Sequence, residues 1–210
     1  MDRIEKAITF ATQAHLLQKR KHSGIPYIVH PIEVMKRVSD YGVIDDTILA
    51  AAVLHDVKED CSSEWGEKIL TEFGWDVHSI VVECSRPQGD DATKPEKYRF
   101  LQSFSTKSIQ SVIIKIADRY CNVHDYIHTS GKYASKYALQ AYPLYQSFIQ
   151  RYTKISDTVL PHKVSIKVLG DIADLNTTIN TVYKDFSCFV CNNETKVKGI
   201  VIGGDSVSTG

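Results

Sequence analysis

Apolar residues recur at intervals of three and four positions through residues 1–153, which is the spacing of amphipathic helices. The stretch Ile4–Ala14 is the first to show this pattern. A polar segment containing glycine and proline follows, and Pro31 can then open a second helix at its first position, where a missing N–H costs nothing. Asp45 and Asp46 precede the apolar run Ile48–Leu54 and can cap its helix.

The same helical periodicity continues to residue 153. It covers Trp65–Phe73, Val77–Cys84, Lys94–Phe104, Ser108–Tyr126 and Tyr133–Tyr152. Pro143 lies inside the last stretch, where it predicts a kink or a split between two helices. The pattern therefore predicts a mainly α-helical domain over residues 1–153.

The pattern changes in residues 154–210, where three short runs alternate apolar and polar positions. These runs are Lys163–Leu169, Phe186–Cys191 and Lys196–Ile202, with a turn signal at Asn192 and Asn193 between the last two. Alternation predicts strands, so we expect a small C-terminal α+β or β appendage. Three short strands are barely stable alone and leave unpaired edges. We therefore expect this appendage to pack on the helical body or to pair with a second copy as a homo-oligomer.

The charge balance excludes some classes of partner. The chain of 210 residues carries 25 Lys and Arg against 25 Asp and Glu, so its formal net charge is zero. No global positive field is available to hold a nucleic acid or an anionic membrane. No apolar run is long enough to span a bilayer, and the amino-terminal residues lack the uninterrupted apolar segment of a secretory signal. A soluble cytoplasmic protein is the expectation.

The five cysteines do not suggest a disulfide scaffold or a zinc ribbon. Cys61, Cys84 and Cys121 are scattered, and the odd count is awkward for paired disulfides. Cys188 and Cys191 form a C-x-x-C pair, but no second pair of cysteines or histidines follows it. Two cysteines on a strand are the favoured interpretation of this pair.

The segment ILAAAVLHDVKED carries the most unusual polar residues. His55 and Asp56 end an apolar run; on a continuous helix His55 would share a face with Glu59, and Asp56 with Asp60. A histidine and three acids on a helix built for burial are costly without a cation. A solvated carboxy-terminal turn is the alternative, but the helix dipole disfavours acids there. The segment therefore indicates a metal site.

Two further segments supply residues that could complete this site. His30 in PYIVHPIEV stands just before a predicted helix, and Asp118 in SVIIKIADRYCNVHD again follows an apolar run, with Asn122 one turn later. His30, His55, Asp56 and Asp118 would form a mixed nitrogen and oxygen ligand set. Such a set suits Mn²⁺, Fe²⁺, Zn²⁺ or Co²⁺.

These motifs resemble a known family. The order H…HD…D is similar to the metal signature of the HD-domain phosphohydrolases. The segments PYIVHPIEV, AAAVLHDVKED, FGWDVHSIV and IKIADRYCNVHD resemble, in that order, the hydrolase domain of the RelA/SpoT family. The chain length resembles the single-domain members of that family, the small alarmone hydrolases of the Mesh type. The resemblance covers residues 1–153.

The resemblance implies an all-helical HD fold. It also implies an enzyme that removes the 3′-pyrophosphate of guanosine tetra- and pentaphosphate with Mn²⁺. Matched by motif, the metal would be held by His30, His55, Asp56 and Asp118, and the attacking water would be activated by Glu59 and Asp60. The guanine nucleotide would be bound by Arg20 or Lys21 at the base, by Asn122 and Tyr142, and by Lys94 or Lys97 at the distal phosphates.

Departures from the family pattern keep other functions open. They fall at Ile25, Lys58, Cys61, Tyr120, Cys121 and His124, and they leave the matched ligands and the acidic pair intact. The first alternative is the same chemistry on another nucleotide, such as a 2′- or 3′-phosphorylated dinucleotide like NADPH, or a cyclic nucleotide. The second is a regulatory module that binds a nucleotide without turnover. Retention of both Glu59 and Asp60 argues against that module, because binding alone needs no water-activating pair.

Overall fold

The computed structural model describes residues 2–21, 23–86, 94–127, 131–152 and 162–182. These residues are mostly helical and form no β-sheet; Lys19 and Pro26 make a single antiparallel bridge. A 3₁₀ turn lies at Ser103–Ser105, and the α-helices are α1 Arg3–Ala14, α2 Val29–Asp40, α3 Asp46–Leu54, α4 Val57–Asp60, α5 Ser63–Cys84, α6 Lys94–Gln102, α7 Ile109–Ile127, α8 Gly131–Gln140, α9 Tyr142–Tyr152 and α10 His162–Val182. The prediction of a mainly α-helical fold is confirmed.

Helix α3 forms the centre of the core. Every residue of Leu49–Leu54 is buried, and α1, α2 and α5 pack around it. Its three consecutive alanines let these neighbours approach closely. The helix begins at the predicted cap, where the Asp45 carboxylate accepts a hydrogen bond of 2.8 Å from the Thr47 N–H. Helix α7 packs against α2 and α5, so it brings its own polar residues towards the end of α3.

Two predicted breaks in the helical pattern are present. Gly74 has a φ of 84° and interrupts α5, so Trp65–Phe73 and Val77–Cys84 lie on separate helical segments, as their periodicity indicates. A side chain would be strained in that left-handed conformation, which glycine adopts freely. The second break separates α8 from α9, and Pro143 lies in the first turn of α9. No helix in the described residues has the length and apolarity that a bilayer crossing requires.

The start of α2 differs from the prediction by two residues. The helix begins at Val29, so His30 lies within its first turn and Pro31 is its third residue. The first-turn N–H groups have no partner inside a helix, so proline is tolerated here as well as at the first position. The consequence is that α2 itself holds the buried imidazole of His30.

The predicted strand at Lys163–Leu169 is wrong, because these residues belong to α10. The buried apolar side chains of α10 are Val164, Val168, Ile172 and Leu175, and this spacing of four, four and three is helical. The seven-residue run looked alternating because it includes Ile166, which is 56% exposed. Helix α10 packs against α7, α8 and α9.

Two other predictions for the tail cannot be compared with the structure. The runs Phe186–Cys191 and Lys196–Ile202 and the C-x-x-C pair lie outside the described residues. The domain boundary at residue 153 stays a prediction.

A partly buried ion pair connects α10 to α2. The Arg37 guanidinium donates to both carboxylate oxygens of Asp171, and the Tyr41 hydroxyl donates to Asp171 Oδ2 at 2.6 Å. Arg37 also lies over the ring of Tyr120 on α7, with 3.9 Å between the guanidinium carbon and the ring centroid. One carboxylate of α10 therefore joins three helices.

We expect Asp171→Asn to lower the free energy of unfolding by about 2–3 kcal/mol. This is less than the ~3–5 kcal/mol of a fully buried pair, because the Arg37 side chain is 28% exposed. Chemical denaturation measures this change. The matched control is Asp174→Asn on the same helix, whose ion pair with His124 is exposed and should contribute less than about 1 kcal/mol. Equal losses in the two variants would contradict the role of Asp171.

Candidate metal centre and nucleotide cavity

The break between α3 and α4 places two of the candidate ligands. Helix α3 ends at Leu54, where the apolar run ends; His55 and Asp56 form the turn before α4. The expected continuous helix through His55 and Glu59 is therefore wrong. The turn is not solvated either, since His55 is fully buried and Asp56 is 7% exposed.

His30, His55 and Asp118 converge from α2, from this turn and from α7. Each offers one ligand atom, and these atoms lie within 4.8 Å of one another. Asp118 Oδ1 lies 3.2 Å from His30 Nε2 and 3.9 Å from His55 Nε2. Asp56 Oδ2 lies 3.1 Å from His55 Nε2 and 3.8 Å from His30 Nε2. The four residues that the sequence singled out thus meet in one buried cluster.

The ring of His55 is oriented for binding a cation. Its Nδ1 lies 2.7 Å from the Ala52 carbonyl oxygen, which can only accept, so Nδ1 carries a hydrogen and Nε2 faces Asp56 and Asp118. This Nε2 is buried without a hydrogen-bond partner among the described residues. Burial lowers the pKa of His55, but the two carboxylates outweigh it and raise the pKa to about 10. The position favours a positive charge, and a divalent cation fits this nitrogen and oxygen donor set.

Lys115 is a buried cation that our sequence reasoning missed. Its Nζ lies 3.1 Å from Asp118 Oδ2 and 3.9 Å from Asp56 Oδ1, and the residue is 3% exposed. Burial lowers its pKa, but Asp118 and Asp56 raise the pKa above the ordinary lysine value. A lysine inside the apolar run SVIIKIAD, three residues before Asp118, was the signal that could have identified it.

The acidic pair after the turn is held in two different environments. Arg86 donates from Nε and Nη2 to Glu59 Oε1, the first at 2.7 Å, while its backbone N–H donates to Oε2 at 3.2 Å. Asp60 Oδ2 instead accepts from the Tyr27 hydroxyl at 3.0 Å, and the same hydroxyl lies 2.8 Å from Asp56 Oδ2. Burial and the charges of Asp56 and Glu59 raise the pKa of Asp60 to about 6. Arg86 neutralises Glu59, whereas Asp60 remains a proton acceptor with a raised pKa.

Asn122 connects the cluster to Arg20. Its Nδ2 donates to Asp118 Oδ1 at 2.6 Å, and its Oδ1 accepts from Arg20 Nη2 at 3.0 Å. Arg20 Nε also donates to Asp125 Oδ2 at 3.0 Å. Hydrogen bonds to α7 thus fix the guanidinium, which forms part of the cavity wall.

A cavity of about 590 Å³ opens over the cluster. Its acidic lining residues are Asp56, Glu59, Asp60 and Asp118, and its cationic lining residues are Lys19, Arg20, Lys21, Arg86, Lys97, Lys115, Arg119 and Lys136. Aromatic side chains also line it, among them Tyr126 and Tyr137, whose rings are stacked with centroids 5.4 Å apart. Cations outnumber acids two to one in this lining, which favours an anionic ligand with an apolar part.

Comparison with known proteins establishes the family. A sequence model of the HD domain matches residues 7–152. The guanosine-3′,5′-bis(diphosphate) 3′-pyrophosphohydrolase MESH1 of Xenopus tropicalis is 32% identical over 166 residues, which cover 77% of this chain and 90% of that protein. The chain belongs to the HD-domain family. Human MESH1 is 33% identical over 142 residues, covering 65% of this HD-domain chain and 76% of the human protein.

A solved structure shares the fold of this HD domain. It was described as a metazoan ortholog of SpoT that hydrolyses ppGpp, and it superimposes with a TM-score of 0.59. The alignment covers 88% of this chain and 95% of the other at 22% identity, which supports the common fold. The resemblance to the Mesh type of small alarmone hydrolase is confirmed by the MESH1 relatives.

The predicted nucleotide-binding residues of the HD domain fall into two groups. Arg20, Lys21, Lys97 and Asn122 line the cavity. Tyr142 lies outside its lining, on α9, where its hydroxyl accepts a hydrogen bond of 3.2 Å from Gln146. Lys94 is the first residue of α6, and its side chain lies outside the described part of the structure.

Three tyrosines that line the cavity, Tyr27, Tyr126 and Tyr137, were not predicted. Tyr126 follows Asn122 by one turn on α7, so helical spacing could have identified it. Tyr137 comes from α8, and no signal in the sequence connects it to the cluster.

Proposed function

We propose that this HD domain hydrolyses the 3′-pyrophosphate of guanosine tetra- and pentaphosphate, giving GDP or GTP and pyrophosphate. The observation that carries the proposal is the buried cluster of two histidines and two aspartates at the base of a cation-lined cavity. The MESH1 relatives, which share about a third of their aligned residues with this chain, are named for this reaction.

His30, His55, Asp56 and Asp118 would hold the metal, for which we propose Mn²⁺. Their donor atoms suit a divalent transition ion of intermediate softness. Such an ion would polarise a phosphoryl oxygen and lower the pKa of a water molecule beside it. Lys115 offsets part of the carboxylate charge and holds Asp56 and Asp118 towards the cluster.

Asp60 is our choice of proton acceptor for the attacking water. Both oxygens of Glu59 already accept hydrogen bonds from Arg86, so this carboxylate is engaged by a protein partner. Burial and the neighbouring negative charges raise the pKa of Asp60 to about 6, and the Tyr27 hydroxyl fixes its orientation next to Asp56. Glu59 and Arg86 would then act as a pair that shapes the cavity wall.

The reaction needs no covalent intermediate. The water oxygen adds to the phosphorus that is bonded to the ribose 3′-oxygen. The bond from this phosphorus to the 3′-oxygen then breaks, and pyrophosphate leaves. One proton of the water passes to Asp60, which later releases it to solvent, and the departing 3′-oxygen takes up a proton from solvent to become the 3′-hydroxyl. The cationic lining stabilises the phosphate charges, either as point charges or as bidentate guanidinium contacts.

A second candidate is the same reaction on a different phosphorylated nucleotide. The stacked tyrosines Tyr126 and Tyr137 give the cavity an aromatic wall, and an aromatic wall accepts any base by stacking. Substrates of this kind include a 2′- or 3′-phosphorylated dinucleotide such as NADPH and a cyclic nucleotide.

A nucleotide panel tests the proposal. The Mn²⁺-loaded protein is incubated with guanosine tetraphosphate, guanosine pentaphosphate, NADPH and a cyclic nucleotide, with a chelator-treated sample as the control. We expect the highest kcat/KM for the guanosine phosphates and no turnover with chelator. A higher kcat/KM for NADPH or the cyclic nucleotide would favour the second candidate. Bound nucleotide without any product would favour a regulatory module.

A further inference from the structure

Arg119 is a partly buried cation in the cavity that the proposed chemistry leaves without a role. It follows Asp118 directly on α7, and its side chain is 15% exposed. Its Nε is buried and has no hydrogen-bond partner among the described residues. Its guanidinium carbon lies 5.3 Å from the ring centroid of Tyr137 on α8. Within the described residues the guanidinium contacts Asp118 and Tyr137 and leaves Nε without a hydrogen bond, so it is available to a ligand.

The metal cluster accounts for only part of the interactions of this cation, through a long ion pair with Asp118. Arg119 Nε lies 4.0 Å from Asp118 Oδ2, which is too far for a hydrogen bond, and Lys115 already contacts that oxygen at 3.1 Å. A bound divalent cation would add more positive charge beside Asp118. An anionic ligand bound next to the metal and Arg119 would offset this additional positive charge.

The location of Arg119 indicates which anion this is. A phosphoryl group bound at His30 and Asp118 would have Arg119 as its neighbour on the α8 side of the cavity. Lys97 and Lys136 line the same cavity, and Lys136 Nζ lies 6.0 Å from the Tyr137 centroid, the ring that Arg119 also contacts. A second phosphoryl group attached to the first would therefore meet cations from α6, α7 and α8.

We propose that Arg119 binds the terminal phosphoryl group of the 3′-pyrophosphate and holds pyrophosphate as it leaves. This rests on the proposed function and adds a residue that distinguishes a diphosphate from a monophosphate at the 3′ position. The guanidinium lies beside the ring of Tyr137, and its planar N–H groups can make two parallel hydrogen bonds to phosphoryl oxygens. No bond to Arg119 forms or breaks in the reaction.

Anion binding to the full-length protein tests this role without turnover. The protein is loaded with Mn²⁺ and desalted so that no free metal competes, and it is titrated with inorganic pyrophosphate and with orthophosphate by calorimetry. Arg119→Gln should weaken pyrophosphate binding at least about tenfold, because it removes charge-assisted hydrogen bonds. The affinity for orthophosphate should change by less than about threefold, because orthophosphate has only one phosphoryl group and that group binds at the metal cluster. Metal content should be unchanged.

Two further variants complete the test. Arg119→Lys keeps the charge but loses the planar fork, so its pyrophosphate affinity should lie between those of the wild type and Arg119→Gln. Arg99→Gln removes an exposed arginine from α6 and should bind both anions as the wild type does. If Arg119→Gln does not fold, the Arg119→Lys variant tests the proposal instead. A wild-type affinity for pyrophosphate in Arg119→Lys would overturn the proposal.

Other outcomes also count against Arg119. Unchanged pyrophosphate affinity in Arg119→Gln would overturn the role, as would a wild-type protein that binds pyrophosphate no tighter than orthophosphate. An equal loss of affinity for both anions, or a loss of bound metal, would show that Arg119 supports the metal cluster instead. Turnover of guanosine tetraphosphate is measured alongside: its absence in the wild type would reject the proposed function itself. Normal turnover together with unaltered pyrophosphate binding in the variant would reject only this inference.

Discussion

Asp56→Ala should lose bound metal and all measurable turnover. The carboxylate lies 3.1 Å from His55 Nε2 and 3.8 Å from His30 Nε2, so it contributes both a donor atom and negative charge to the cluster. Loss of an outer-shell partner typically costs 10–100-fold in metal affinity, and loss of a ligand should cost more. Metal content by elemental analysis and turnover of guanosine tetraphosphate, measured on the same sample, check this expectation.

Folding should survive the change at Asp56. The core consists of apolar helix faces, and Lys115 keeps its contact with Asp118 at 3.1 Å. The control is Asp76→Ala, an exposed aspartate on α5 that should keep full metal content and turnover. A folded Asp56→Ala protein with wild-type metal content and wild-type turnover would contradict the ligand assignment.

Asp60→Asn should lower turnover by roughly 10²–10⁴-fold, the usual contribution of a general base. The substitution keeps the size of the side chain and an acceptor for the Tyr27 hydroxyl but removes the proton acceptor. Metal content should be nearly unchanged, because Asp60 is not one of the proposed ligands. Steady-state kinetics of the Mn²⁺-loaded variant measure the effect.

Glu59→Gln is the matched comparison for Asp60→Asn. From the sequence alone, either carboxylate could be the base. In the structure Arg86 binds both Glu59 oxygens, so we expect a smaller fall in turnover for this variant. The reverse order, with Glu59→Gln the more damaged and Asp60→Asn close to wild type, would assign the base to Glu59.

The sequence predicted the cluster because its members stand at abrupt changes of pattern. His55 and Asp118 each follow an apolar run, and a buried helix that ends in acids and imidazole is a strong local signal. The helix positions followed from periodicity for the same reason, including the break near Gly74. Each of these features depends on a few adjacent residues within its own segment of the chain.

The features that the sequence did not predict depend on contacts between distant segments. Arg86 reaches Glu59 only because the end of α5 folds back over α4, and Tyr137 meets Arg119 only through the packing of α8 on α7. The pattern of Lys163–Leu169 was ambiguous because a run of seven residues fits both the two-residue period of a strand and the 3.6-residue period of a helix. The buried positions further along α10 show that the period is helical. Tertiary packing overrides short local patterns in such cases.

The central claim is metal-dependent removal of pyrophosphate from the 3′ position, and product identification tests it most directly. The Mn²⁺-loaded protein is incubated with guanosine tetraphosphate, and the products are separated and quantified, with and without chelator. We predict GDP and pyrophosphate in equal amounts, and no product once the metal is removed. Orthophosphate with a shortened nucleotide, or an unaltered substrate in the presence of metal, would contradict the account.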